Sequence, residues 1–104
     1  MAKMSAEEIT KYIKNYVAKC PDRIRPHWYV GIATDPESRL FEDHRVNRKY
    51  TKWVYCPAVS VEAARLAEKS LLDDGYDGGP GGGDHPTFVY AFHKERYTDP
   101  NGAS

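Results

Sequence analysis

Three short runs of β-branched and aromatic residues constrain this chain most: HWYVGIA at 27–33, WVYCPAV at 53–59 and TFVYAFH at 87–93. Each reads as a strand, and helix signals stand before or between them. Ser5 followed by Glu8 is a capping box, and Ile9, Tyr12, Ile13, Tyr16 and Val17 then recur at helical spacing, which predicts a helix over 5–19. Pro21 and Pro26 bracket a connector. Asp35 can cap a second helix with Pro36 in its first position, running to about Arg45. Ser60 caps a third, which ends at Gly75. Pro57 makes the second strand an edge strand or a bulged one. The order is helix, strand, helix, strand, helix, loop, strand. It predicts one α+β domain over 1–104, with a small, mainly antiparallel sheet of about three strands and flanking helices. Residues 96–104 read as a flexible tail.

Composition narrows the function classes. The 104 residues are 40% hydrophobic and 29% charged, a globular balance. No apolar run approaches the roughly 20 residues of a membrane helix. The N-terminus lacks the apolar core of a signal peptide, so a cytoplasmic protein that does not engage membranes is expected. Zero net charge argues against nonspecific coating of nucleic acid. The charge is nonetheless divided: residues 1–56 hold 11 Lys/Arg against 7 Asp/Glu, and residues 57–104 hold 4 against 8. The basic stretch Arg45, Arg48, Lys49 and Lys52 is either a solvated loop or a phosphate-contacting patch. Cys20 and Cys56 form no CxxC pair and read as buried thiols.

Few residues stand at spacings that by themselves carry chemistry. The two cysteines and four histidines (His27, His44, His85, His93) are scattered, without zinc-ligand spacing, and Asp84-His85 is a bare adjacent pair. Between Gly78 and Gly83, five of six residues are glycine, which is either a flexible turn or a place where backbone or ligand approaches closely. Glu68 is out of place. It falls within the stripe of Val61, Ala64, Leu71 and Leu72, where a carboxylate costs desolvation unless it is paired, hydrogen-bonded or metal-bound. The plain alternative puts it at the stripe's edge beside an arginine.

Tyr29-Val30-Gly31-Ile32-Ala33, then Arg39, His44 and finally Glu68 on a later helix resemble the GIY-YIG endonuclease domain in order and spacing. The likeness covers roughly residues 28–74. It implies a metal-dependent endonuclease hydrolysing DNA phosphodiester bonds, with Mg²⁺ or Mn²⁺ held by Glu68. It also implies Tyr29 as a hydroxyl that helps activate water, Arg39 as the phosphate contact and His44 as an auxiliary polar group. Each residue type suits its role, since a carboxylate is a hard ligand and a guanidinium matches phosphate oxygens.

The family's first strand, which carries a second tyrosine, is missing before Tyr29, where the helix at 5–19 is an addition. The last strand is the candidate replacement, with Tyr90 in the missing tyrosine's place. That requires the strands of Tyr29 and Tyr90 to be neighbours and both side chains to share one face. The resemblance implies DNA as partner. The alternative is a catalytically inactive domain of the same kind that binds protein or nucleic acid.

Overall fold

The computed structural model describes residues 2–79, 83 and 85–102. Helix α1 spans Ala6–Ala18. Its capping box forms as expected: Ser5 Oγ accepts the Glu8 amide at 3.2 Å, and Glu8 Oε1 accepts the Ser5 amide at 2.9 Å. Ile9, Ile13 and Val17 form its buried stripe. Strand β1 is Trp28–Ala33, β2 is Trp53–Pro57, helix α2 is Val61–Asp73, β3 is Asp77–Gly78 and β4 is Phe88–His93. Ser60 Oγ accepts the Ala63 amide at 3.0 Å to start α2. Gly75, at φ +106°, takes the left-handed conformation that ends it.

The sheet order is β2-β4-β1-β3. The last strand in sequence therefore lies between the first two. β4 pairs antiparallel with β1 from Trp28↔His93 to Ala33↔Phe88, and with β2 from Trp53↔Phe92 to Pro57↔Phe88. β2 is an edge strand, where a proline leaves no ladder bond unmade.

The sheet has four strands where about three were expected. The fourth, β3, arises from the glycine-rich segment and pairs parallel with β1, Tyr29↔Asp77 and Val30↔Gly78. A Cβ on Gly78 would come within 2.7 Å of the Val30 carbonyl and 2.6 Å of Leu72, so close backbone approach is what this glycine serves. Residues 80–82 of that segment lie outside the described residues.

Alternation along the strands separates two cores. One face, with Trp28, Val30, Ile32, Val54, Cys56, Val89 and Ala91, packs against α1 and α2. Ala63, Ala64 and Ala67 let α2 approach closely. The other face carries Tyr29, Ala33, Tyr90 and Phe92, which pack with Leu40 and Val46.

Two expectations change here. The second helix is wound as a π-helix over Ser38–Asp43, with the His44 amide bonding to the Arg39 carbonyl five residues back at 2.9 Å. Nor is the tail loose through Gly102. Thr98 is buried, and the Asp99 amide bonds to the His44 carbonyl at 2.7 Å. Residues 103–104 lie outside the described residues. No helix among the described residues is long and apolar enough to cross a membrane.

Candidate active site

Tyr29 and Tyr90 stand on neighbouring strands and on one face, because Tyr29 is paired with Phe92 and Gly31 with Tyr90. Gly31 has a specific reason to lack a side chain: a Cβ there would collide with the ring and hydroxyl of Tyr90, which lie across it. Tyr29 stacks on Phe92 with ring centroids 5.3 Å apart, and a Cβ on Gly79 would come within 3.0 Å of its hydroxyl.

His44 is fully buried between these rings, 4.9 Å from that of Tyr29 and 5.5 Å from that of Tyr90. Its Nδ1 is 2.6 Å from the Asp99 carbonyl oxygen, which can only accept, so Nδ1 carries the proton. Nε2 of the neutral ring is then the acceptor, and the Tyr90 hydroxyl donates to it at 2.7 Å. Burial lowers the His44 pKa and so favours this neutral form. The Asp99 carbonyl had no signal in the sequence, since the segment that carries it reads as a frayed end.

The π turn explains how Arg39 and His44 serve one place. Five residues along an α-helix turn a side chain about 140° away, whereas the wider i→i+5 winding returns it to nearly the same side. Arg39 Nη1 donates to Asp43 Oδ2 at 2.9 Å, and its guanidinium lies near the Tyr90 hydroxyl and Gly102. Arg39 and Asp43 also line a depression of about 390 Å³ at the end of β1, together with Ala33, Thr34, Asp35 and Ser38.

Glu68 is half-buried on α2 and has neither an ion pair nor a hydrogen bond among the described residues. Burial raises its pKa, and the Arg65 charge offsets part of that rise. Its helix packs on the sheet face opposite the two tyrosines, and Glu68 does not line the depression beside Arg39. Its charge is a lesser cause of their raised pKa values. At Tyr29, burial raises the pKa, Arg39 opposes it, and Asp77 and Glu68 add to it. At Tyr90, burial drives the pKa far up, Tyr29 and Glu68 add to it, and Arg39 opposes it. A half-buried carboxylate without a cation is a donor of the type that Mg²⁺ or Mn²⁺ accepts.

The basic stretch is less uniform than its sequence. Arg48 is paired with Glu37 at 2.6 Å and lies over the Phe41 ring at 3.8 Å. Arg45, at φ +58°, Lys49 and Lys52 are exposed and make no ion pair among the described residues. Of the histidines read as scattered, His27 and His93 meet at Asp22. Residues 27 and 93 are far apart in the chain, and only the β1–β4 pairing brings them together. The Asp84-His85 pair lies partly outside the described residues.

The chain matches no family model, and no curated protein or solved structure matches it.

Proposed function

We propose that this chain is a metal-dependent endonuclease that hydrolyses DNA phosphodiester bonds. The observation that carries the reading is the convergence on one sheet face of two tyrosines, a tautomer-fixed histidine and an arginine. Glu68 adds a half-buried carboxylate from α2.

Glu68 would hold the divalent cation. When bound, such an ion stabilises the charge that builds up on phosphate and leaving oxygens. Asp35 and Asp43 place negative charge in the wall of the depression that Arg39 lines, so a phosphate entering it needs a cation for company. Arg39 presents its guanidinium fork to a phosphate oxygen. Tyr29 is the hydroxyl that orients the attacking water. Burial raises its pKa, and the Arg39 cation and the Gly79 backbone offset only part of that rise, so it acts as a neutral phenol. Tyr90 is a positioning residue: it is 1% exposed and spends its proton on His44. Arg45, Lys49 and Lys52 supply exposed charge for backbone phosphates.

A second reading, a catalytically silent domain that binds nucleic acid or protein, is favoured by the Arg39–Asp43 pair, which occupies one edge of the guanidinium. Cleavage of supercoiled, linear and branched DNA with Mg²⁺ or Mn²⁺ separates the two. The nuclease reading expects cutting by the parent and losses of at least about 100-fold for Glu68→Ala and Arg39→Ala. DNA retention without cutting, unchanged in Glu68→Ala, supports the silent domain.

A further inference from the structure

We propose that Asp22, His27 and His93 form a site for a zinc-type divalent metal, clamping the connector between α1 and β1 onto the end of β4. It is separate from the Glu68 site in both position and ligand chemistry.

The sheet register builds the cluster. Trp28 lies directly opposite His93 in the β1–β4 ladder, on the face of α1 and α2. Its indole Nε1 donates to the Asp22 carbonyl at 2.9 Å and folds the connector back over the ladder's end. Asp22 Oδ1 accepts the Ile24 amide at 2.9 Å, which turns Oδ2 towards the histidines. His27 Nδ1 then lies 2.7 Å and His93 Nε2 2.8 Å from that single oxygen. The three ligand atoms lie within 4.8 Å of one another.

Glu95 supplies the supporting contact. Its Oε2 lies 2.6 Å from His93 Nδ1 and Asp22 Oδ2 lies 2.8 Å from Nε2, so both nitrogens donate in the metal-free protein. The Glu95 contact keeps the Nδ1 proton, while a metal takes the place of the one on Nε2. A carboxylate behind a ligating imidazole is the arrangement that fixes tautomer and ring direction at zinc sites. The edge-on Trp28 ring, 5.3 Å from that of His93, holds the same orientation.

Two imidazole nitrogens and one carboxylate oxygen suit zinc, copper or nickel, where magnesium prefers oxygen alone. With metal–ligand bonds of about 2.0–2.2 Å, the donors of a tetrahedral ion stand roughly 3.3–3.6 Å apart, so each imidazole nitrogen has to draw back from Asp22 Oδ2 by about 0.5–0.9 Å. The His27 side chain is 51% exposed, which leaves an open approach and a water position. A depression of about 210 Å³ adjoins, lined in part by Asp22, His93, Glu95 and Cys20. Without metal, both histidines hydrogen-bond to Asp22, and an incoming ion takes the place of the shared protons.

The test uses the full chain without a histidine tag, stripped with chelator and titrated with Zn²⁺ by calorimetry at neutral pH. One ion per chain is expected, with a melting temperature that rises with Zn²⁺ concentration. Co²⁺ is expected to give the intense visible spectrum of a four-coordinate site, without a thiolate band. His27→Ala loses binding while its metal-free melting temperature stays near the parent's, because that side chain is half in solvent. Glu95→Gln binds about 10–100-fold more weakly, and Cys20→Ser binds as the parent does. A parent that takes up no Zn²⁺, or whose binding survives both His27→Ala and His93→Gln, overturns the assignment. Binding that disappears with Cys20→Ser or Glu68→Ala belongs elsewhere and overturns it too. None of these readouts depends on DNA cleavage.

Discussion

The Tyr90 hydroxyl donates to His44 Nε2 at 2.7 Å, and the direction of that bond is set from the far side of the ring by the Asp99 carbonyl. The chain thus closes its C-terminal segment on a residue 55 positions earlier, and that closure decides which imidazole nitrogen faces the tyrosine.

Tyr90→Phe removes one atom and leaves Nε2 buried without a donor. The expected loss is about 1–3 kcal/mol of stability, read by urea denaturation. Equal midpoints for parent and variant would mean that water or another group satisfies the ring.

Gly31→Ala places a methyl group where the Tyr90 ring lies. Both strands are fully paired here, so the ring has to move and the His44 bond stretches. A destabilisation of about 1–3 kcal/mol is expected. In the same variant the His44 ring resonances shift in an NMR titration. Unchanged resonances would show that the tyrosine does not constrain the histidine.

Glu68 gives a pH dependence whose sign follows from its burial. Burial raises the folded-state pKa above the unfolded value. The associated stability is complete below the unfolded pKa and is lost as pH rises through the folded one. Denaturation midpoints of metal-free protein are therefore expected to fall over the window that opens at the ordinary carboxylate range and closes at the raised value. Glu68→Gln flattens this part of the profile and is the more stable protein at neutral pH. A parallel profile for the two would place the carboxylate in water.

The two thiols differ in reach. Cys56 is fully buried, and desolvation pushes its pKa up to about 11. Cys20 is partly exposed, with its pKa raised by burial and partly offset by Lys52. A disulfide reagent is expected to titrate one thiol slowly in the native protein and both after unfolding. Cys20→Ser abolishes the native reaction, and a persisting signal would mean that Cys56 opens to solvent.

Much of the local structure is legible in the chain because its signals are short-range. The Ser5–Glu8 box, the Ser60 cap, Gly75 and the aromatic runs act within a few residues of themselves, and the helices and three main strands fall within a few residues of where these signals put them. Glu68 also stands out by sequence, since a charge on an apolar stripe is visible from periodicity alone. Tyr29 and Tyr90 can be named from their runs, but their shared face depends on register.

What the sequence by itself determined is therefore the set of elements and the residues able to do chemistry. Tertiary structure decided their partners. Pairing of β4 with β1 joins residues 55–65 positions apart and puts Tyr90 over Gly31. The same pairing carries His93 to Asp22 and His27. The π winding that aligns Arg39 with His44, and the docking of Asp99, depend on packing against a sheet face that exists only once β4 is in place. Local signals are settled by the backbone's own sterics and hydrogen bonds. These contacts depend on burying two faces of one sheet, and no short stretch of sequence contains that free energy.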